Sequence, residues 1–263
     1  MSVPPLFATQ SGTFHYGKVK FEPIDSFAYQ AETQQSAKPL TIVVLTDFKI
    51  DRPAVLAAIN TPGAFVLQSG EKGSFAMLRL VAPEKCGVAG FLASTQQQFD
   101  LGDSLPAKMT VSTPSRVAGE CWTSKPGKMF EDAYDLHVSY DVPITAIPKP
   151  AALPAGGGEA GAAYLALVKA IQTANWDAAH AHLRADEVPQ TRPKPSEMKR
   201  YFEDVSLNYP KSATVTGGLM KGDRANLDIR GINHDGHKIN GVVALKKIGG
   251  EWQVLEQNFF SEQ

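Results

Sequence analysis

Four polar side chains alternate with three apolar ones in the stretch Arg224-Ala225-Asn226-Leu227-Asp228-Ile229-Arg230. A period of two marks a strand with one buried face, so Arg224, Asn226, Asp228 and Arg230 share the other face. Arginine grips carboxylates and phosphates through two parallel N–H bonds, which makes this stripe the first candidate for holding an anionic ligand. Trp176 and Tyr201 join it as ligand-binding candidates, because an aromatic ring stacks on a planar or apolar ligand. Each feature also has a plainer role. The stripe is equally the solvated side of a half-buried sheet with its arginines paired to acids, and Trp176, Tyr201 and Trp252 are equally core residues. Arg224 and Arg230 lie six residues apart, about 20 Å along an extended strand, too far for both to hold one small anion.

Other chemistry-bearing residues give weaker patterns. Gly156, Gly158 and Gly161 spell G-x-G-x-x-G before a helical stretch. A dinucleotide site needs a strand feeding that turn, and the feeder here is Pro148-Lys-Pro-Ala-Ala-Leu-Pro154, which reads as linker. The six histidines are His15, His137, His180, His182, His234 and His237. His180 and His182 are two apart and diverge on a helix, so no metal site is expected. Glu131-Asp132, Asp186-Glu187 and Glu203-Asp204 are adjacent acids, whereas acid–base pairs need opposed placement across a substrate; these read as solvent-facing caps and turns. No G-x-S-x-G, H-E-x-x-H or phosphate-loop lysine is present. The expectation is no catalytic residue, no cofactor and no metal.

The two cysteines, Cys86 and Cys121, leave two readings open. A disulfide between them would contribute about 3–4 kcal/mol by closing a long loop, while two buried free thiols fit the apolar neighbours as well.

Composition bounds the class. The chain has 263 residues, with 26 basic and 27 acidic side chains and a net charge of −1. Residues 1–147 carry 12 basic and 14 acidic side chains, and 148–263 carry 14 and 13. Neither half has the basic field of a nucleic-acid binder. The longest apolar run, near Leu40–Leu45, is far short of the ~20 residues of a membrane helix. Met1-Ser-Val-Pro-Pro-Leu-Phe7 lacks the basic and apolar regions of a signal peptide. The expectation is a mature extracytoplasmic chain, periplasmic or secreted, from which the signal peptide has been removed.

These residues need scaffolds to hold them. Three prolines and then four glycines between Ile147 and Ala162 predict a Pro/Gly linker over 148–161. Before it, residues 1–147 read as short strands: Thr41–Thr46, Phe75–Val81, Gly87–Ala93, Lys108–Thr113 and the alternating Tyr134–Val142. One helix is expected at Arg52–Asn60, capped by Asp51. This half is predicted to be an all-β sandwich with one short helix. After the linker, residues 162–263 read as helices followed by four strands with turns at Lys221-Gly-Asp223, His234-Asp-Gly236 and Gly249-Gly250. That order predicts an α+β domain, helices packed on a four-stranded antiparallel meander.

Two segments of the second half, Ala163–Ala179 and Gly236–Val254 with its Gly249-Gly-Glu-Trp252, carry a resemblance. They resemble the cystatin-like, nuclear-transport-factor-like cone fold of small exported bacterial domains of unknown function. The first half is similar to uncharacterised secreted β-domains, through Ala28-Tyr29, Val43–Asp47 and Tyr134–Tyr140. Neither resemblance brings a catalytic set with it. What they imply is an exported, non-enzymatic binding or assembly protein of the bacterial cell envelope, with a protein or small-molecule partner. The alternative is an enzyme or small-molecule carrier using a polar cavity of the cone domain.

Overall fold

A computed structural model describes residues 8–33, 36–129 and 131–261. Its contacts divide into two units, one running to Pro148 and one from Lys149 onward, with Ala57–Ile59 grouped with the second.

The first unit contains β1 (Thr9–Tyr16), β2 (Val19–Phe21), β3 (Asp25–Thr33), β4 (Ser36–Thr46), α1 (Arg52–Ala57), α2 (Thr61–Lys72), β5 (Phe75–Ala82), β6 (Lys85–Leu92), β7 (Gln97–Asp100), β8 (Leu105–Ser112), β9 (Arg116–Trp122), β10 (Gly127–Met129) and β11 (Asp132–Thr145). All eleven strands belong to one sheet with the path β2-β1-β11-β3-β4-β5-β6-β8-β9, and β9 pairs back onto β11. The closure rests on the length of β11. Its residues 137–143 pair with β9, its residues 134–141 with β1, and Ile144 and Thr145 run parallel to Ala28 and Tyr29 of β3. The seven strands β11, β3, β4, β5, β6, β8 and β9 thus form a closed ring of pairings, which leaves no free edge within it. Alternation fills the interior: Leu136, Val138, Tyr140 and Val142 are buried with Val43, Leu45, Leu78, Val88 and Val117. The other side of β4, through Ile42 and Val44, is also buried. Helix α2 brings Phe65 to within 5.8 Å of Phe27 between ring centroids.

Cys86 of β6 and Cys121 of β9 are joined, with 6.5 Å between their Cα atoms, and both are fully buried. The strand between them, β8, pairs with β6 at Leu105 and Pro106 and then with β9 from Ala107 onward. The bridge therefore fastens the point at which β8 turns from one neighbour to the other.

The second unit contains β12 (Ala151–Leu153), α3 (Gly158–Gln172), α4 (Trp176–Ala179), α5 (Pro195–Ser206), β13 (Ser212–Lys221), β14 (Arg224–Ile232), β15 (Lys238–Ile248) and β16 (Glu251–Ser261). Its five strands are antiparallel in the order β12-β13-β14-β15-β16. Tyr164, Leu167, Val168 and Ile171 of α3 pack with Ala225, Leu227, Ile229 and Val243 of the sheet. No described helix is long and apolar enough to cross a membrane.

The expected fold class is corrected on three points. The first half is a single continuous sheet rather than a sandwich of two, because β11 is long enough to serve as neighbour to β1, β3, β9 and β10. It also holds a second helix, α2, whose apolar pattern Gly63, Ser69 and Gly70 interrupt; Asn60 starts it by accepting a bond from Gly63 N at 3.3 Å, with a proline in the first turn. The second half has five strands instead of the four of the expected cystatin-like cone. The fifth, β12, comes from the segment read as linker. Pro150 and Pro154 bracket three residues that keep their N–H groups, and a strand so short sits at a sheet edge where proline is tolerated. The remaining linker residues also have set conformations. Gly157 turns the chain with φ +67 into α3, and a Cβ on Gly161 would lie 2.0 Å from the Gly156 carbonyl oxygen.

Candidate functional site

Strand β14 places its alternating residues as a two-faced strand must. Ala225, Leu227 and Ile229 are buried under α3, while Asp228 and Arg230 are exposed and Arg224 and Asn226 half-exposed on the far side. The stripe therefore lies on the face the helices leave bare. The face beneath the helices is filled by Tyr164, Leu167, Phe202 and Trp252. Trp176 and Tyr201, the other two candidates, do not join the stripe. They belong to the helical layer, with Trp176 stacked on His180 at 5.5 Å and tilted against Tyr201 at 5.6 Å. The Tyr201 hydroxyl donates to the Glu187 carbonyl at 2.9 Å, and burial pushes its pKa up to about 12.

Register builds the bare face row by row. Leu219, Asn226, Ala244 and Glu256 stand side by side across β13 to β16. The next row holds Gly217, Asp228, Val242 and Asn258, and the one after it Thr214, Arg230, Asn240 and Phe260. Among the described residues Asp228, Arg230 and Lys238 form no ion pair, and large apolar side chains stand between the charges. Phe260 is 67% exposed, Val242 42% and Leu219 39%. Exposed as it is, this surface shields no reacting group from water.

The face ends at β16, which has no strand on its outer side among the described residues. The first part of that edge is covered from within the unit. Val254 N donates to the His182 carbonyl at 3.0 Å, and His182 Nδ1 lies 2.7 Å from the Trp252 carbonyl oxygen. Further along, Leu255 at the β15–β16 register shift is 45% exposed.

One buried group escapes sequence reasoning. Asp186 and Glu187 read as a solvent-facing pair, yet only Asp186 faces outward, paired with Arg184. The Glu187 side chain is 6% exposed and accepts from Tyr209 Oη at 2.7 Å and Asn208 Nδ2 at 3.0 Å. Burial first, and then the Glu187 charge, raises the Tyr209 hydroxyl far above its usual range. The partners are 21 and 22 residues away, so no local pattern announces them. The group ties the segment after α4 to the end of α5. Among the described residues no three His, Cys, Asp or Glu side chains are grouped to hold a metal ion.

Comparison of the chain with protein-family models, with curated proteins and with solved structures finds no match.

Proposed function

We propose that the protein is an exported binding or assembly protein of the bacterial cell envelope, and that its second unit engages a protein partner through the bare sheet face ending at β16. The observation that carries this reading is the open row Thr214–Arg230–Asn240–Phe260, where a 67% exposed phenylalanine stands on the same face as an unpaired arginine. Aromatic and arginine side chains are the residues that protein interfaces favour, and Phe260 shares its face with exposed Val242 and Leu219. Export is supported by the Cys86–Cys121 bridge, since disulfides persist in oxidising compartments. A carrier or enzyme built on a cavity beneath the helices lacks such support, because the side chains on that face are packed together.

The test is site-specific photo-crosslinking in intact cells. A photoreactive residue at Phe260 or Leu255 is expected to give one discrete protein adduct, and the same residue at exposed Lys128 of the first unit none. Absence of an adduct at both edge positions, or the same adducts at Lys128, overturns the proposal.

A further inference from the structure

A second surface lies wholly within the first unit, on the outside of β9 and β11. Glu120 and Trp122 are two apart on β9 and so share a face; Asp135, His137 and Ser139 do the same on β11. Register sets Trp122 directly beside His137, and Glu120 beside Ser139. Glu120, Trp122, Thr123, Asp135, Leu136 and His137 line a shallow concavity of about 400 Å3, at the small end of the range for ligand sites.

The chemistry of the lining is specific. Glu120 Oε2 lies 3.2 Å from His137 Nε2, and Asp135 Oδ1 accepts from the Thr123 hydroxyl. Each carboxylate is thus oriented through one oxygen, with its remaining lone pairs turned to solvent. An ionised carboxylate only accepts, so it calls for ligand O–H or N–H donors. The half-exposed Trp122 indole N–H, which has no acceptor among the described residues, supplies the converse, while the second histidine nitrogen adds a further acceptor when Nε2 donates to Glu120. The indole itself offers an apolar face. Mixed donors and acceptors around an aromatic plate match a ring that is apolar on its C–H face and hydroxylated at its rim. Two carboxylates repel an anion. A quaternary ammonium ion would use none of the hydrogen-bonding groups, and Lys108, directly opposite Glu120 on β8, offsets the negative field such a cation needs. The scaffold is rigid, because Cys121 between Glu120 and Trp122 is tied to β6.

We propose that the Glu120–Trp122–Asp135–His137 concavity is a carbohydrate-binding site for a neutral oligosaccharide, independent of the partner surface on the second unit. Trp122 is the stacking plate, and Glu120 and Asp135 accept from hydroxyls. Titration calorimetry of the intact protein with cellohexaose, maltoheptaose, laminarihexaose and chitotetraose, with choline as the cationic control, tests it. Saturable binding of at least one saccharide is expected, weakened about tenfold or more by Trp122→Ala and only partly by Trp122→Phe, which keeps a plate. Glu120→Gln should also weaken it while leaving the plate in place, and it decides the matter if Trp122→Ala fails to fold. Binding of none of the four saccharides, binding of choline alone, or saccharide binding indifferent to both Trp122→Phe and Glu120→Gln overturns the assignment.

Discussion

In the first unit the ladder of strands returns on itself through β11, whereas in the second it stops at β16, and the arginines of the two sheets differ in the same way. Around the closed sheet, arginines are spoken for: Arg52 holds Asp25 at 2.8 Å, Arg79 holds Asp100 at 2.9 Å and Asp103 at 2.7 Å, and Arg116 holds Asp141. On the open sheet, Arg230 stands two residues from Asp228 on the same face and, among the described residues, neither forms an ion pair, while Phe260 is 67% exposed. A closed sheet finishes its own hydrogen bonding and can turn an outer concavity to a small ligand. An open one keeps a surface that only another macromolecule is large enough to cover.

The contrast breaks most sharply at the disulfide. Replacing Cys86 and Cys121 together by alanine is expected to lower the stability of the first unit by about 3–4 kcal/mol and to leave the unfolding of the second unit where it is. Calorimetry with and without reductant checks this, and an equal shift of every transition would count against it.

A smaller effect in the first unit is read through pH. Burial alone would raise the Asp25 carboxyl, but the bonds from Arg52, Ile50 N and Ser26 N outweigh it and hold its pKa below the usual 3.8. Arg79 and Arg116 likewise lower Asp100 and Asp141. A carboxylate with a depressed folded-state pKa stabilises the fold fully above its unfolded value and loses that contribution as pH falls toward the folded one. The first unit should therefore weaken below about pH 4. Asp25→Asn should cost it about 2 kcal/mol at neutral pH, the scale of a charged hydrogen bond whose arginine stays half in water, and flatten its acid response. Urea midpoints of wild type and variant between pH 3 and 7 measure both effects, and parallel pH profiles would refute the assignment to Asp25.

The smallest expected effect lies in the second unit. Ala174 follows α3 with φ +50, a left-handed position where a Cβ is disfavoured. Ala174→Gly should stabilise that unit by about 0.5 kcal/mol, the relief of strain being partly offset by a freer unfolded chain. A lowered urea midpoint would show that the neighbouring residues already accommodate the alanine.

Much of the local structure is legible in the residues themselves. The alternation of Tyr134–Val142 and of Arg224–Arg230 marks two strands and says which side chains share a face. It does not say which face the helices take, because both sides of an isolated strand look alike until something packs on one. That is why Arg224, Asn226, Asp228 and Arg230 leave two readings open in the sequence, a ligand-holding stripe or the solvated side of a half-buried sheet, and the packing of α3 on Leu227 and Ile229 puts them on the bare side. The Pro/Gly run misleads for a related reason. Composition reports the strong average against strand, whereas β12 needs only three free N–H groups and an edge to join. Trp122 gains its interest only when His137, fifteen positions on, is placed beside it.

By itself the sequence determines the periodicities, the absence of a strongly charged field and the positions where glycine and proline bend the chain, since each of these follows from neighbours a few residues apart. Only the tertiary structure decides that β11 closes the first sheet, that Cys86 and Cys121 meet across β8, that Glu187 turns inward to Tyr209, and that Glu120, Trp122, Asp135 and His137 share one concavity. Those outcomes depend on register between strands far apart in the chain. A shift of one residue there would turn every side chain to the opposite face.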